Sequence, residues 1–228
     1  IGHPACGCVP APVPGEALLA TGGQILAFEP PRCGAASTLG GAIATAMSGP
    51  RRPYAGAARD FVLGVGCVNG RGERLNFGGQ VMKNVAGYDV ARLMCGAFGT
   101  LGVLLEVSLK VLPVAPAELT LVRACTATDA IETMNRLAGS GAPLSASSHD
   151  GELLRLRLSG SERALRAAAS AIGGDEQADG AAYWEALRDQ QLPFFRAPGV
   201  LWRLSVPSTA AAPALPGEQY IEWGGAQR

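Results

Sequence analysis

Histidine is nearly missing: 228 residues contain only His3 and His149. Chemistry that depends on an imidazole base therefore has two candidates, and neither falls in a catalytic motif. Charge is sparse too, at 17%, which excludes long disordered charged arms. The 19 Lys and Arg cancel the 19 Asp and Glu, leaving no electrostatic footprint for nucleic acid or an anionic membrane. No apolar run reaches the length of a membrane span. The six cysteines, Cys6, Cys8, Cys33, Cys67, Cys95 and Cys125, form no C-x-x-C pair, a pattern that fits a reducing cytoplasm. His3, Cys6 and Cys8 stand close together and read either as a short metal cluster or as a frayed terminus; no metal site is expected. The chain opens at Ile1 with no basic stretch leading into a long apolar one, so no secretory signal is visible and the start is expected to be absent or processed. A G-x-G-x-x-G after a strand, with an acidic residue downstream, is also missing, which argues against a nicotinamide enzyme.

What is present is an apolar, glycine-rich chain. Apolar residues make up 48%, enough for a core, and the 31 glycines gather between 34 and 102, where tight turns or close backbone approach to a ligand would use them. Residues 1–16, rich in Pro and Gly, read as irregular. A break near Pro113–Pro116, where prolines stop regular structure, divides residues 17–116 from residues 117–228. In the first part we expect a short buried helix from Thr38 to Ser48. A strand from Phe61 to Asn69 should be joined by Asn69-Gly70-Arg71-Gly72 to a hairpin partner at Glu73–Phe77. One or two helical turns follow from Asp89 to Cys95, then a largely buried strand from Leu101 to Leu112. The second part shows a strand at Leu119–Arg123 and a helix at Asp129–Leu137 with a capping box of Asp129 and Glu132. Pro143–Ser147 reads as a strand. Leu154, Leu156 and Leu158 alternate with Arg155 and Arg157, the pattern of a half-exposed strand. Ser161 can cap a helix running to Ile172 that Gly173-Gly174 stops. A further helix covers Ala181–Gln191, and Val200, Trp202, Leu204 and Val206 alternate as a last strand. Without that further helix the order is βαββαβ, a split pattern of the ferredoxin-like kind, so the fold class is α+β.

Three segments carry candidate chemistry. Thr38-Leu39-Gly40-Gly41 opens a helix: its hydroxyl and free N–H groups read either as an anion-holding helix start or as a plain N-cap with tight packing. Lys83-Asn84-Val85-Ala86-Gly87-Tyr88-Asp89 reads as a turn capped by Asp89, with Lys83 facing a negative group or solvent. Gly96-Ala97-Phe98-Gly99-Thr100-Leu101-Gly102-Val103 enters a strand without bulky side chains, where a flat ring could lie or where the sheet is simply crowded. Arg51 and Arg52 pair with a carboxylate or phosphate, or are solvated.

In this order the segments resemble a known family. Phe28-Glu29-Pro30-Pro31, Ser37-Thr38-Leu39-Gly40-Gly41, Gly49-Pro50-Arg51-Arg52-Pro53-Tyr54, Arg59-Asp60-Phe61-Val62-Leu63-Gly64 and Phe77-Gly78-Gly79 through Asp89 resemble the FAD-binding subunits of bacterial glycolate oxidases. Gln190-Gln191-Leu192-Pro193-Phe194-Phe195 and Leu215-Pro216-Gly217-Glu218-Gln219 do so as well. The likeness runs from about Ala17 to Arg228 and is densest over 26–113. Thr-Leu-Gly-Gly and Gly-Tyr-Asp followed by Gly-Thr-Leu-Gly are shared with the wider vanillyl-alcohol-oxidase group of PCMH-type flavoproteins.

The resemblance implies FAD held between two α+β subdomains, with its ring facing a ferredoxin-like cap at about 118–206. By motif, Thr38, Leu39, Gly40, Gly41 and Ala44 would line the cofactor; Gly99, Leu101, Gly102 and Val103 would approach its adenine or flavin end; Tyr88 and Asp89 would support that wall. The implied reaction is oxidation of glycolate to glyoxylate with flavin as hydride acceptor. The implied alternatives are a non-catalytic flavin subunit of the same complex, or a dehydrogenase of another 2-hydroxy acid such as D-lactate. Partners implied are a second flavin subunit and an iron–sulfur subunit, in the cytoplasm, with peripheral association at the inner face of the membrane. The family pattern opens with a subdomain carrying a Gly-rich pyrophosphate loop and continues past Trp223-Gly224-Gly225-Ala226, so truncation at both ends is expected. No residue is assigned as the catalytic base.

Overall fold

In a computed structural model of the chain, residues 14–34, 37–79 and 87–228 are described. They form two compact units, one of residues up to Gly49 with Gly56–Val114, the other of Pro50–Ala55 with Ala115–Arg228. Helices and antiparallel sheets segregate within each, an α+β arrangement.

The first unit begins with α1 (Pro14–Thr21) and β1 (Gln24–Ile25). The helix occupies ground that composition marks as irregular up to residue 16. Proline in a first helical turn loses no intrahelical bond, so Pro14 starts the element without breaking it. Next come α2 (Leu39–Thr45), then α3 (Arg52–Ala55), which belongs to the second unit, and α4 (Ala58–Phe61). Strands β2 (Val62–Val68) and β3 (Arg74–Gly78) form the expected hairpin. Asn69 Oδ1 shapes its turn by accepting from the amides of Arg71 and Glu73, as an Asn at a tight turn does. The unit is completed by α5 (Val90–Met94), β4 (Val103–Leu109) and β5 (Leu112–Pro113). The central strand β2 lies between β3 and β4, and β5 pairs with β1. Phe28, Ile43, Phe61, Val62, Val65, Cys67 and Met94 are buried, and Phe28 and Phe61 stack at 5.6 Å between ring centroids.

Two expectations here need correction. The run Leu101–Leu112 is not one buried strand: β4 ends at Leu109, lies at the sheet edge, and contains no fully buried residue. An apolar period-2 pattern marks a face suited to burial, but an edge strand meets a neighbour on one side only. Pro113 does not stop regular structure either. It sits on β5, which pairs with β1 alone, and proline is tolerated where no ladder N–H is needed.

The second unit is a five-stranded antiparallel sheet. Its elements are β6 (Ala117–Ala124), α6 (Ala127–Ala138), β7 (Leu144–His149), β8 (Leu153–Gly160), α7 (Glu162–Ile172), β9 (Asp175–Glu176), α8 (Gly180–Arg188), α9 (Pro193–Arg196) and β10 (Ile221–Glu222), with a 3₁₀ turn at Trp223–Gly225. The sheet order is β10-β7-β8-β6-β9, with eight β6–β8 pairs from Ala117 opposite Gly160 to Ala124 opposite Leu153. Leu154, Leu156 and Leu158 face a core of Ile131, Met134 and Leu137 from α6 and Leu165 from α7. On the other face Ala146 packs with Trp184, Leu187 and Tyr220. That layer also covers the arginines of β8: Arg155 lies 4.5 Å from the Tyr183 ring centroid and Arg157 5.3 Å from that of Trp184. The expected half-exposed strand is thus covered on both faces, with the charges held against aromatic rings.

Other sequence expectations also shift. The cap of α6 is Thr126, whose Oγ1 accepts from the Asp129 amide at 3.2 Å and bonds the Asp129 carboxylate at 2.7 Å, so no Asp129–Glu132 box forms. Ser161 caps α7 as expected. Residues 200–206 are not a strand. One bridge, Ser205 to Gln227, stands there, and the last strand of the βαββαβ order is the two-residue β9 on β6.

Candidate functional site

The first and third glycine-rich segments meet in the first unit. Thr38 starts α2, its Oγ1 accepting from the Gly41 amide at 3.0 Å, while the amides of Leu39 and Gly40 donate to no described group. The C-terminal end of this helix is held by the third segment. Gly96 N–H donates to Ile43 C=O at 3.0 Å, and Phe98 N–H donates to Ala44 C=O at 2.9 Å. The helix packs on β4 as well. Thr38, Leu39, Gly40, Gly41, Ala44, Gly99, Leu101, Gly102 and Val103 therefore belong to one local assembly rather than to scattered turns.

Its outer surface is unusually apolar. Phe98 is 71% exposed and Val103 63%, and Leu93 and Leu101 are exposed beside them in sequence. Gly102 has φ +154°, and a Cβ there would stand 2.6 Å from Val68 O, so only glycine lets β4 enter against β2. Gly99 has φ +75° with nothing within 4 Å of a built Cβ, so its open side faces space. Amides that meet no described acceptor at the start of α2 suit an anionic group, and the exposed apolar run at its other end suits a flat ring.

The second segment is only partly described. Asp89 caps α5, its carboxylate accepting from the Arg92 amide at 3.2 Å. Tyr88 is 95% exposed with respect to the described residues. Lys83, and with it the stretch to Ala86, lies outside the described residues, as do His3, Cys6 and Cys8.

The remaining candidates have structural employment. Arg51 pairs with Glu118 at 2.5 Å. Burial pushes the Glu118 carboxyl up, but the Ser159 hydroxyl and the Arg157 and Arg51 cations outweigh it, so its pKa is lowered. Arg52 lies 4.3 Å over the Trp223 ring. His149 is fully buried. Its Nε2 lies 2.9 Å from Cys125 C=O, and its Nδ1 accepts from the Gly151 amide at 3.3 Å. Those two contacts engage both ring nitrogens in pinning a turn. Sequence reasoning missed a buried polar cluster on β7: Ser148 Oγ lies 2.7 Å from Tyr183 OH, which bonds Tyr220 OH in turn. Burial raises the pKa of both tyrosines, so they stay protonated. Among the described residues no group of His, Cys, Asp and Glu is arranged to hold a metal ion, and no helix is long and apolar enough to cross a membrane.

The FAD binding domain family matches residues 16–78. The chain is 48% identical over 213 residues to glycolate oxidase subunit GlcE of Escherichia coli (strain K12), a match covering 93% of this chain and 60% of that protein. Over 86 residues it is 40% identical to glycolate oxidase subunit GlcD of Bacillus subtilis (strain 168), covering 38% and 18%. The chain thus spans about three-fifths of the first of these relatives. Among solved structures it resembles an alkyldihydroxyacetonephosphate synthase with a TM-score of 0.60 at 18% identity, over 77% of this chain and 42% of that one, a likeness of fold.

Proposed function

We propose that this chain forms part of an FAD-binding subunit of a glycolate oxidase. The observation that carries the reading is the junction of the C-terminal end of α2 with the Gly96–Val103 segment, which ties that helix to an exposed apolar run inside the unit that the FAD binding domain family matches in part. FAD, when bound, would supply a hydride acceptor for the carbon bearing the substrate hydroxyl. The Leu39 and Gly40 amides would hold an anionic part of the cofactor. Gly99 and Gly102 would let its flat part approach the backbone, and Leu101, Val103 and Phe98 would exclude water from it. Tyr88 and Asp89 act through α5: Asp89 fixes the start of that helix.

The second unit supports the role of a ferredoxin-like cap. Its β6, α6, β7, β8, α7 and β9 follow in the split order, and the sheet places β8 between β6 and β7. The substrate class we infer is a small 2-hydroxy acid, glycolate first. A D-lactate dehydrogenase of Anaerostipes hadrus is 37% identical over 86 residues, so that acid is the natural competitor. The relatives' names as subunits support an assembly with a second flavin subunit. We extend it to an iron–sulfur subunit, in the cytoplasm with peripheral association at the membrane.

One observation favours a second reading. The described histidine is locked in a turn and the buried tyrosines stay protonated, so none of these three presents itself as a general base. On this reading the subunit binds FAD as a scaffold while chemistry occurs in its sister. Visible absorption of the purified full-length polypeptide decides. A flavin spectrum bleached by glycolate supports the catalytic subunit, a flavin that glycolate leaves oxidised supports the scaffold, and no flavin at all sinks both.

A further inference from the structure

The second unit carries a surface that its core does not account for. Val200, Leu201 and Trp202 are 80%, 54% and 76% exposed, three consecutive large apolar side chains outside any strand. The segment just beyond them is anchored. Leu204 and Arg228 exchange backbone hydrogen bonds at 2.9 and 3.0 Å, and Val206 donates to Ala226 at 3.0 Å. Arg203 stands between the anchored and exposed parts, with its guanidinium 4.7 Å from the Trp223 ring centroid and its Nη2 donating to Gln227 at 2.5 Å. Arg52 lies over the same ring at 4.3 Å. Two guanidinium groups share one indole, and Glu222 is the carboxylate acting on Arg203.

Single exposed apolar residues need no explanation, but a contiguous run with a tryptophan marks an interaction site. Tryptophan and arginine are the residues enriched at the energetic centres of protein interfaces. The stack on Trp223 also holds both arginines in place before any partner arrives, which reduces the ordering cost of association. The cationic excess fixes the sign of what must meet it.

We propose that Val200–Arg203, with Trp223 and Arg52 beside them, form the docking face for another protein subunit that offers an apolar pocket rimmed by carboxylates. Trp202 fills the pocket, and Arg203 and Arg52 meet the carboxylates in charge-assisted pairs. This rests on reading the chain as one subunit of an assembly.

The test is co-purification. The full-length polypeptide, tagged, is co-expressed with the GlcD-like flavin subunit of its own source. Wild type should retain that subunit, and should release it as salt is raised to about 1 M, where charges are screened beyond roughly 3 Å. W202S combined with R203E should lower recovery by about ten-fold or more, with the visible spectrum unchanged, and R203K alone should keep most of it. Equal recovery with the W202S/R203E pair overturns the proposal. So does a Trp202 fluorescence already buried in the isolated subunit, which assigns the strip to a contact within the subunit itself. A dimer of the isolated subunit that W202S abolishes overturns it in favour of a second copy. If wild type retains no partner under any salt condition, the assembly reading itself fails.

Discussion

Adding one methyl group at Gly102 separates the stability of the proposed flavin wall from its ligand contact. A Cβ there would stand 2.6 Å from Val68 O and 3.3 Å from Val68 C, nearer than real Cβ atoms come. The obstacle is backbone of the central strand, and Val68 is the last β2 partner in the ladder, opposite Val103, so it cannot rotate aside. A strained backbone costs about 1–3 kcal/mol and overpacking a similar amount; Gly102→Ala should therefore destabilise by roughly 2–5 kcal/mol. For a chain of this size that lowers the melting temperature by roughly 5–15 °C. Gly99→Ala is the matched control. Its φ of +75° is unfavourable for alanine, but nothing lies within 4 Å of the new methyl, so the loss should be about 1–2 kcal/mol. The two variants should then diverge: Gly102→Ala melts early, while Gly99→Ala stays folded but binds less flavin, because its methyl would occupy the side proposed for the ligand. Thermal melting by circular dichroism and flavin absorbance of the full-length polypeptide report both. A Gly102→Ala protein melting within about 2 °C of wild type, or a Gly99→Ala protein with full flavin content, would refute the reasoning.

The lowered pKa of Glu118 gives a pH signature. Its contribution to stability is present above the ordinary glutamate pKa of about 4.3 and is lost as pH falls through the lower folded value. Glu118→Gln should be less stable than wild type at neutral pH, with the gap closing in urea melts below about pH 4. Thr126→Ala removes the cap of α6 and should cost about 1 kcal/mol; an unchanged denaturation midpoint would show that Asp129 caps the helix instead. Met134 is fully buried between α6 and the sheet, so Met134→Ala should cost about 2–5 kcal/mol, read from the same chemical denaturation.

Much of the secondary structure could be read locally because its causes are local. The Asn69-Gly70-Arg71-Gly72 turn, the Asp89 cap and the α7 boundaries at Ser161 and Gly173 each depend on residues a few positions apart. The α6 cap went to Thr126 because two nearby residues could both accept a first-turn amide, and spacing does not rank them. Arg155 and Arg157 look like an exposed face in the sequence. Tyr183 and Trp184, far along the chain, cover them, and no local pattern records that. The reverse happens at 200–206, where alternation suggests a strand but only Ser205 finds a partner.

Composition and short-range pattern determine that this chain folds as α+β, where most of its turns and caps fall, and which segments are rich in glycine. Those properties follow from backbone conformations and hydrogen bonds that close within a few residues. Tertiary structure alone decides that the Gly96–Phe98 backbone reaches the carbonyls of Ile43 and Ala44, turning two ordinary turns into one surface. It also decides that Arg51 is committed to Glu118 while Arg52 and Arg203 share Trp223. These contacts join residues from 20 to more than a hundred positions apart, and their energies exist only once packing has brought them within a few ångströms.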